Sequence, residues 1–153
     1  MAELRKLDIN DIDAIKTLFY SVFSNEPWCD DWSDPVQLHN YIFDLVGNNN
    51  SLSFGLYEDD LLKGISLGYI MHWCAGTEYY IFEFCIRPKD QGKGLGTAFF
   101  GMIKDSVKEL GIDHIFLQTE KSVPAFGFYR KNGFIELEGH VSLVHRIDNN
   151  NEK

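Results

Sequence analysis

The residues from Gln91 to Thr97 combine a spacing and a set of residue types that suit the binding of a phosphate group. The segment reads QGKGLGT, with glycines at the alternate positions 92, 94 and 96. Glycine lets the backbone approach an anion closely, and the N–H groups of a helix's first turn carry partial positive charge toward it. Lys93 adds one cation, although a lysine that is only solvated is an equally good interpretation. The segment is therefore predicted to hold a diphosphate rather than to be only a flexible loop.

Two common phosphate-binding motifs do not fit this spacing. The dinucleotide pattern GxGxxG starting at Gly92 requires a glycine at position 97, which is Thr97. The pattern GxxxxGK[ST] fails at Lys93, which is followed by neither Ser nor Thr. What remains is QxxGxG, formed by Gln91, Gly94 and Gly96.

The surrounding sequence predicts alternating strands and helices that would position this segment. Hydrophobic periodicity, helix caps and turn residues mark the boundaries. In chain order the prediction is a strand at 4–9, a helix from 12 to 23, a helix from Pro35 to Gly47, a hairpin of SLSFGLYE and LLKGISLGYIMH, a long strand EYYIFEFCIR, a helix at 97–110, a short strand HIFLQT of the type buried inside a sheet, a short helix AFGFYRKN and two final strands, FIELE and VSLVHRI. This order predicts an α/β fold around one central sheet.

Composition and charge exclude several classes of protein. The 153 residues, of which 44% are hydrophobic, fit one compact domain. No apolar run is long enough for a secretion signal or a membrane span, so we expect a cytoplasmic location and no membrane partner. The net charge of -9 argues against nucleic acid and mildly favours cationic small molecules. The three cysteines and five histidines have no ligand spacing, so no metal site is expected.

The segment EFCIRPKDQGKGLGTAFF resembles the acyl-coenzyme A binding segment of the GNAT acyltransferase superfamily. A second segment, VPAFGFYRKNGF, is similar to the late helix of that family, which usually ends in a tyrosine, basic residues and Gly-Phe. The resemblance covers roughly residues 78 to 147. It implies a single-domain fold over residues 1–147, with a mixed, mostly antiparallel sheet, splayed strands 4 and 5 and about four flanking helices. The low-complexity end DNNNEK predicts a disordered tail at 148–153.

The resemblance also implies how the cofactor, acetyl-coenzyme A, would be held. The main-chain amides of the loop would bind its pyrophosphate, and the backbone of Cys85 and Ile86 would pair with the pantetheine arm. Ser122 occupies the place where the family often has an asparagine that contacts the cofactor, which puts this contact in doubt. The loop residues concerned are Gln91, Gly92, Lys93, Gly94, Leu95, Gly96 and Thr97.

Acyl transfer to an amine needs a group that removes a proton, because an alkylammonium titrates near 10.4. Glu83 is the candidate base, since a carboxylate among Phe82, Phe84 and Cys85 should have a raised pKa. An ordered water could take the proton instead. The alternative interpretation of Glu83 is a carboxylate that is merely solvated or paired with a cation. Strand alternation predicts Glu83 and Cys85 on one face of the sheet, with Phe82 and Phe84 on the other. The resemblance makes Tyr129 the general acid for the leaving thiolate, and a tyrosine that only packs is the alternative. A backbone N–H near Ile86 would polarise the carbonyl.

The loop NEPWCDDWSD concentrates acids and tryptophans between the first two predicted helices. Glu26, Trp28, Asp31 and Trp32 are the candidate substrate-binding residues, because carboxylates and aromatic faces suit a cationic amine. The alternative is that the tryptophans cover the core while the acids face water. We therefore expect an N-acetyltransferase that acts on a small cationic amine, as a monomer or homodimer. A protein acetyltransferase and a non-catalytic acyl-coenzyme A sensor remain open.

Overall fold

The computed structural model describes residues 1–147, so the predicted disordered tail at 148–153 lies outside the described residues. Its contacts divide the chain into two compact units, one formed by Met1–Thr119 and a second that begins at Glu120. The prediction of a single domain over residues 1–147 stays a prediction. None of the helices within residues 1–147 combines the length and the apolar character that crossing a membrane requires.

Within residues 1–147, the first unit contains five strands and three α-helices, and the second contains one α-helix. The strands are β1 (Glu3–Leu7), β2 (Ser51–Glu58), β3 (Leu61–Trp73), β4 (Gly76–Ile86) and β5 (His114–Leu117), and the helices are α1 (Ile12–Phe23), α2 (Pro35–Val46), α3 (Leu95–Glu109) and α4 (Pro124–Lys131). The mixed sheet with four helices confirms the predicted fold class.

The five strands form one sheet in the order β1-β2-β3-β4-β5. The first four strands are antiparallel to their neighbours, and β5 runs parallel to β4. One face of the sheet packs against α1 and α2, with Phe19, Ile42 and Leu67 fully buried there. The other face packs against α3 through residues such as Phe99 and Ile103. Each such fully buried side chain stabilises the fold by roughly 1.5–3 kcal/mol.

Local sequence explains why the elements on the α1 and α2 side begin and end where they do. The Asp34 carboxylate accepts hydrogen bonds from the amides of Val36 and Gln37, at 2.9 and 3.2 Å, and Pro35 occupies the first position of α2. Asp59 and Asp60 both have positive φ, which is the geometry of a two-residue hairpin turn between β2 and β3. These features fix the entry to α2 and the start of β3.

The prediction of two final strands is wrong. Residues 134–147 contain no strand, and Ile135, Val141 and Leu143 are 81%, 77% and 89% exposed. Alternating apolar residues stabilise a strand only when pairing buries them, so the pattern alone is insufficient. As a consequence, β5 is the edge strand of the sheet in residues 1–147, with partly buried side chains, and not an interior strand.

Candidate active site

The glycine segment connects β4 to α3 through two left-handed residues. A short turn at Pro88–Asp90 follows β4, and Gly92 and Gly94 then have φ of 76° and 79°. Only glycine adopts such angles without strain, so these two positions explain the local need for glycine. Gly94 is the N-cap of α3, which begins two residues earlier than predicted, at Leu95.

The backbone amides of this segment are available as hydrogen-bond donors. The first helical bond of α3 runs from the Ala98 N–H to the Gly94 carbonyl, at 3.2 Å. In the described chain, residues 1–147, no backbone carbonyl accepts from the amides between Gly92 and Thr97. Residues 91–94 are also exposed. A run of donors at the positive end of a 15-residue helix therefore faces solvent, and this arrangement suits a diphosphate.

Side chains around the glycine segment hold its backbone in place. The Gln91 side-chain amide donates to the Ile86 carbonyl at 2.9 Å, which ties the loop to the end of β4. The buried Asp90 carboxylate accepts from Arg87 Nε at 2.6 Å and lies 3.6 Å from Lys63 Nζ. Arg87 keeps the pKa of Asp90 below its usual value. Lys93 is exposed, and its Nζ lies 3.9 Å from the same carboxylate.

The two parallel strands pair over only part of the length of β4. Pairing runs from Glu78 to Ile81 on β4, and β5 ends at Leu117, so β4 continues for five residues beyond its pairing with β5. The Arg87 N–H donates to the Lys63 carbonyl at 2.7 Å, toward β3. Because successive backbone groups of a strand point in opposite directions, the Ile86 N–H points away from β3, and that of Cys85 points toward β3.

Glu83 is the titratable group with the most altered environment on β4. Its Oε1 accepts a hydrogen bond from the Tyr41 hydroxyl at 2.7 Å. Burial, together with the charge of Asp30, raises the pKa of Glu83 to about 7, although the Tyr41 hydrogen bond acts in the opposite direction. Burial and the charge of Glu83 both raise the pKa of Tyr41. A carboxyl group with a pKa near neutral pH suits the role of accepting and releasing a proton.

Cys85, two residues along the same strand, is a buried thiol. Burial, followed by the charge of Glu83, raises the pKa of Cys85 well above its ordinary value. A protonated thiol is a poor nucleophile, so this cysteine acts as a packing residue on the α1 and α2 face.

A β-bulge changes the predicted alternation on β4. Leu67 pairs with Glu83 and the next residue, Gly68, pairs with Ile81, so Phe82 is an extra residue with no partner on β3. Phe82 contacts Tyr69, a residue of the α1 and α2 face, and Glu83 contacts Tyr41 of α2. The two side chains therefore share a face, and the prediction that Phe82 lies with Phe84 is wrong. A pure period-two pattern contains no signal for the inserted residue.

The aromatic and acidic loop contributes unequally to this region. Trp32 stacks on Tyr41 with ring centroids 5.2 Å apart, so it lies one side chain away from Glu83. Trp28 packs on Phe23, also within the core of the first unit. Asp31 accepts from the Ser33 amide and hydroxyl at 3.0 and 2.6 Å, and Glu26 is exposed. We call the cluster of Glu83, Tyr41 and Asp30 the Glu83 region. The structure thus brings Trp32 to the Glu83 region, while Asp31 shapes the loop.

The second unit carries the candidate acid. Tyr129 lies in α4, half-buried, with its ring at 5.5 Å from Phe128 and 5.4 Å from Phe134. Ser122 is exposed and precedes Val123, the N-cap of α4, which makes no side-chain cap. Ser122 therefore does not cap this helix.

Two residues of the Glu83 region were missed by sequence reasoning. Tyr41 is not part of any recognisable motif. Its position on α2, next to the core residue Ile42, was the only indication in the sequence that it could lie near the site. Asp30 is one of several acids in the loop, and spacing does not show which carboxylate lies close enough to Glu83 to influence it. Tyr41 was identified only through the packing of α2 against β4, and Asp30 only through the effect of its charge on the pKa of Glu83.

A parallel strand pair that stops before the end of β4, a glycine loop whose amides have no carbonyl partner within residues 1–147, and a part-buried carboxylate agree with the resemblance to acyltransferases that use a thioester cofactor. The model of the acetyltransferase (GNAT) family matches residues 12–134. The chain belongs to this family, whose members use acetyl-coenzyme A, and it is an acetyltransferase. No curated protein sequence matches it.

Solved structures with the same fold include acetyltransferases of different specificity. A possible acetyltransferase from Clostridium difficile 630 has a TM-score of 0.81 at 18% identity, over 97% of this chain and 99% of that one. An aminoglycoside acetyltransferase from an uncultured soil metagenomic sample, in complex with sisomicin, has a TM-score of 0.72 at 20% identity, over 96% and 97%. The ribosomal-protein-alanine N-acetyltransferase from Brucella melitensis biovar Abortus 2308 has a TM-score of 0.72 at 17% identity, over 96% and 100%. At these identities the likeness concerns the fold alone.

Proposed function

We propose that this acetyltransferase transfers an acetyl group from acetyl-coenzyme A to the primary amine of a small cationic molecule, by direct attack of the amine on the thioester. The observation that carries the proposal is the part-buried Glu83 carboxylate, which accepts a hydrogen bond from Tyr41 at 2.7 Å and whose pKa is raised by burial to about 7, on the part of β4 that extends beyond its pairing with β5. A polyamine, an aminoglycoside or an amino-acid-like amine would each supply the required group.

Each step of the reaction has a residue that suits it. Bound acetyl-coenzyme A supplies the thioester from which the acyl group is transferred. Glu83 accepts the ammonium proton, directly or through an ordered water, and thereby frees the nitrogen lone pair. The Ile86 N–H is directed away from β3, on the part of β4 that extends beyond β5, and donates to the carbonyl oxygen of the thioester. Tyr129 donates a proton to the departing sulfur, a role that rests on the family resemblance alone.

The fit to the cofactor rests on the donors of the loop. The amides from Gly92 to Thr97 hold the pyrophosphate, Lys93 adds a charge at its exposed position, and the backbone carbonyl of Ile86 pairs with the pantetheine arm. The strand geometry favours Ile86 over Cys85 for this contact, because the backbone groups of Cys85 are directed toward β3.

The preference for a cation rests on the acids and rings near Glu83. The Asp30 charge is close enough to raise the pKa of Glu83, so it also attracts an ammonium group. Trp32 and Tyr41 form an aromatic stack beside this carboxylate, and the face of an aromatic ring attracts cations. The net charge of -9 favours encounter with cationic molecules.

The test is a thiol-release assay with acetyl-coenzyme A and a panel of acceptors: spermidine, an aminoglycoside, lysine and a peptide with an N-terminal alanine. We expect turnover on a small amine and none on the peptide. Turnover on the peptide alone would support the protein acetyltransferase instead. Calorimetric binding of coenzyme A without turnover on any acceptor would support the sensor.

The residue roles are tested with matched variants. Tyr129→Phe should lower kcat about tenfold or more while the affinity for coenzyme A is kept, because general-acid catalysis contributes at least this much. Tyr20→Phe is the control, since Tyr20 is 45% exposed on α1. An unchanged kcat for Tyr129→Phe would remove its acid role.

A further inference from the structure

The β4 bulge presents an aromatic side chain next to the candidate base. Phe82 is the inserted residue, and it precedes Glu83 on the same face of the sheet. Gly68 makes the bulge possible, since a Cβ at this position would lie 2.0 Å from the Tyr80 carbonyl oxygen. Bulges commonly redirect side chains next to active sites. Here the bulge leaves a large apolar ring 42% exposed, directly beside a part-buried carboxylate.

Phe82 belongs to a set of stacked rings, the aromatic platform, formed by Tyr69, Tyr80 and Phe82. The Phe82 ring is parallel to that of Tyr80, with centroids 4.3 Å apart and planes at 16°. Tyr69 meets Phe82 edge-on at 5.2 Å. The platform lies across β3 and β4 on the face that carries Glu83.

Hydrogen bonds hold the rings of the platform in fixed orientations. The Tyr80 hydroxyl donates to the Gln118 side-chain oxygen at 2.9 Å, and the Tyr69 hydroxyl donates to the Asp44 carbonyl of α2. Both tyrosines thus have their polar ends satisfied, and their rings are held in place next to the exposed ring of Phe82. A fixed ring loses little conformational entropy when a ligand stacks on it.

We propose that Phe82 is a substrate-specificity residue: with Tyr80 and Tyr69 it forms a platform for the ring of a cyclic amine whose nitrogen is presented to Glu83. This inference rests on the proposed function and narrows its substrate class. Apolar C–H groups of a saturated or sugar ring, and the face of an aryl ring, all stack on such a surface. A linear polyamine has no ring to place there, so the platform discriminates against it.

The test compares ring-bearing and linear acceptors of matched size. Cyclohexylmethylamine and heptylamine have equal carbon counts, while benzylamine and 6-amino-6-deoxyglucose distinguish an aryl from a sugar ring. We expect the wild-type enzyme to favour at least one ring acceptor in kcat/KM. Phe82→Ala should raise KM for that acceptor about tenfold and leave heptylamine within twofold, because one stacked aromatic contact is worth about this factor.

Two further variants separate stacking from folding and bulk. Phe82→Tyr should retain the ring preference, and Phe82→Leu, which keeps an apolar side chain without a π face, should lose most of it. Phe43→Ala is the matched control, because Phe43 is a 46% exposed aromatic residue that stacks on His39 within α2. Thermal unfolding of each variant shows that the fold is retained.

The outcomes distinguish this inference from the proposed function. Absence of turnover on every amine would overturn both. Turnover with equal loss on ring and linear acceptors in Phe82→Ala, or with no loss on either, would overturn the platform alone. A change of oligomeric state in Phe82→Ala with an unaltered acceptor preference would assign the rings to an interface between copies, and would also overturn it.

Discussion

The glycine loop and the Glu83 region lie in the same unit of the chain, but they are built in different ways. The loop from Gln91 to Thr97 relies on backbone amides, and its geometry comes from two glycines within three residues. The Glu83 region relies on side chains, and it gathers Asp30 from a loop, Tyr41 from α2 and Glu83 from β4. Backbone donors are set by local conformation, whereas side-chain clusters depend on tertiary packing. The two regions should therefore respond differently to substitution.

Replacing the Glu83 carboxylate should distinguish the two regions most clearly, because it should affect catalysis without affecting coenzyme A binding. We expect Glu83→Gln to lower kcat/KM about 100-fold or more, because general-base catalysis contributes at least this factor. The affinity for coenzyme A should not change, since the loop donors are untouched. Steady-state kinetics and calorimetry measure the two effects. Glu109→Gln, at an exposed carboxylate at the end of α3, is the control. Retained activity in Glu83→Gln would assign proton removal to water or another group.

The same substitution should increase stability above neutral pH. A carboxyl with a pKa of about 7 in the folded chain and about 4.3 when unfolded disfavours folding as pH rises between these values. Glutamine removes this penalty, so we expect Glu83→Gln to be more stable than the wild type by up to about 3 kcal/mol at pH 8, and equal to it near pH 4. Urea unfolding at both pH values measures the difference. A pH-independent difference would contradict a raised pKa of Glu83.

In the loop, a change in backbone freedom should affect cofactor binding alone. Gly94 has a φ of 79°, and the space that an added Cβ would occupy is open, so Gly94→Ala adds conformational strain without a clash. We expect a rise of about tenfold in Kd for coenzyme A, since a left-handed alanine costs about 1–2 kcal/mol. Gly111→Ala is a close control, because Gly111 has a φ of 77° and equal space at the end of α3. Equal Kd changes in both variants would show that the loop geometry is not specific to binding.

The different construction of the two regions also explains what sequence could predict. The glycine loop, α1, α2 and the hairpin turn were predictable because their signals lie within a few residues, such as Asp34 before Pro35. The bulge at Phe82 and the Tyr41 contact were not, since both depend on how one element meets another. The apolar pattern in residues 134–147 led to the prediction of two strands that the structure does not contain there, because a strand requires a pairing partner that local sequence does not specify.

The smallest effects should come from the two groups that adjust Glu83 in opposite directions. Tyr41 donates to the carboxylate and favours its charged form, and Asp30 disfavours that form. We expect Tyr41→Phe to raise the pKa of Glu83 and move the acid limb of kcat/KM to higher pH, by about one unit. Asp30→Asn should move the limb to lower pH, by about half a unit or less.

Controls are Tyr20→Phe and Asp105→Asn, whose side chains are exposed on α1 and α3. Opposite displacements, read from pH profiles, would assign the limb to Glu83, because a group elsewhere has no reason to respond to both substitutions with opposite sign. A limb that stays fixed in both variants would belong to the substrate amine or to another residue, and the side-chain cluster would then serve packing rather than proton transfer.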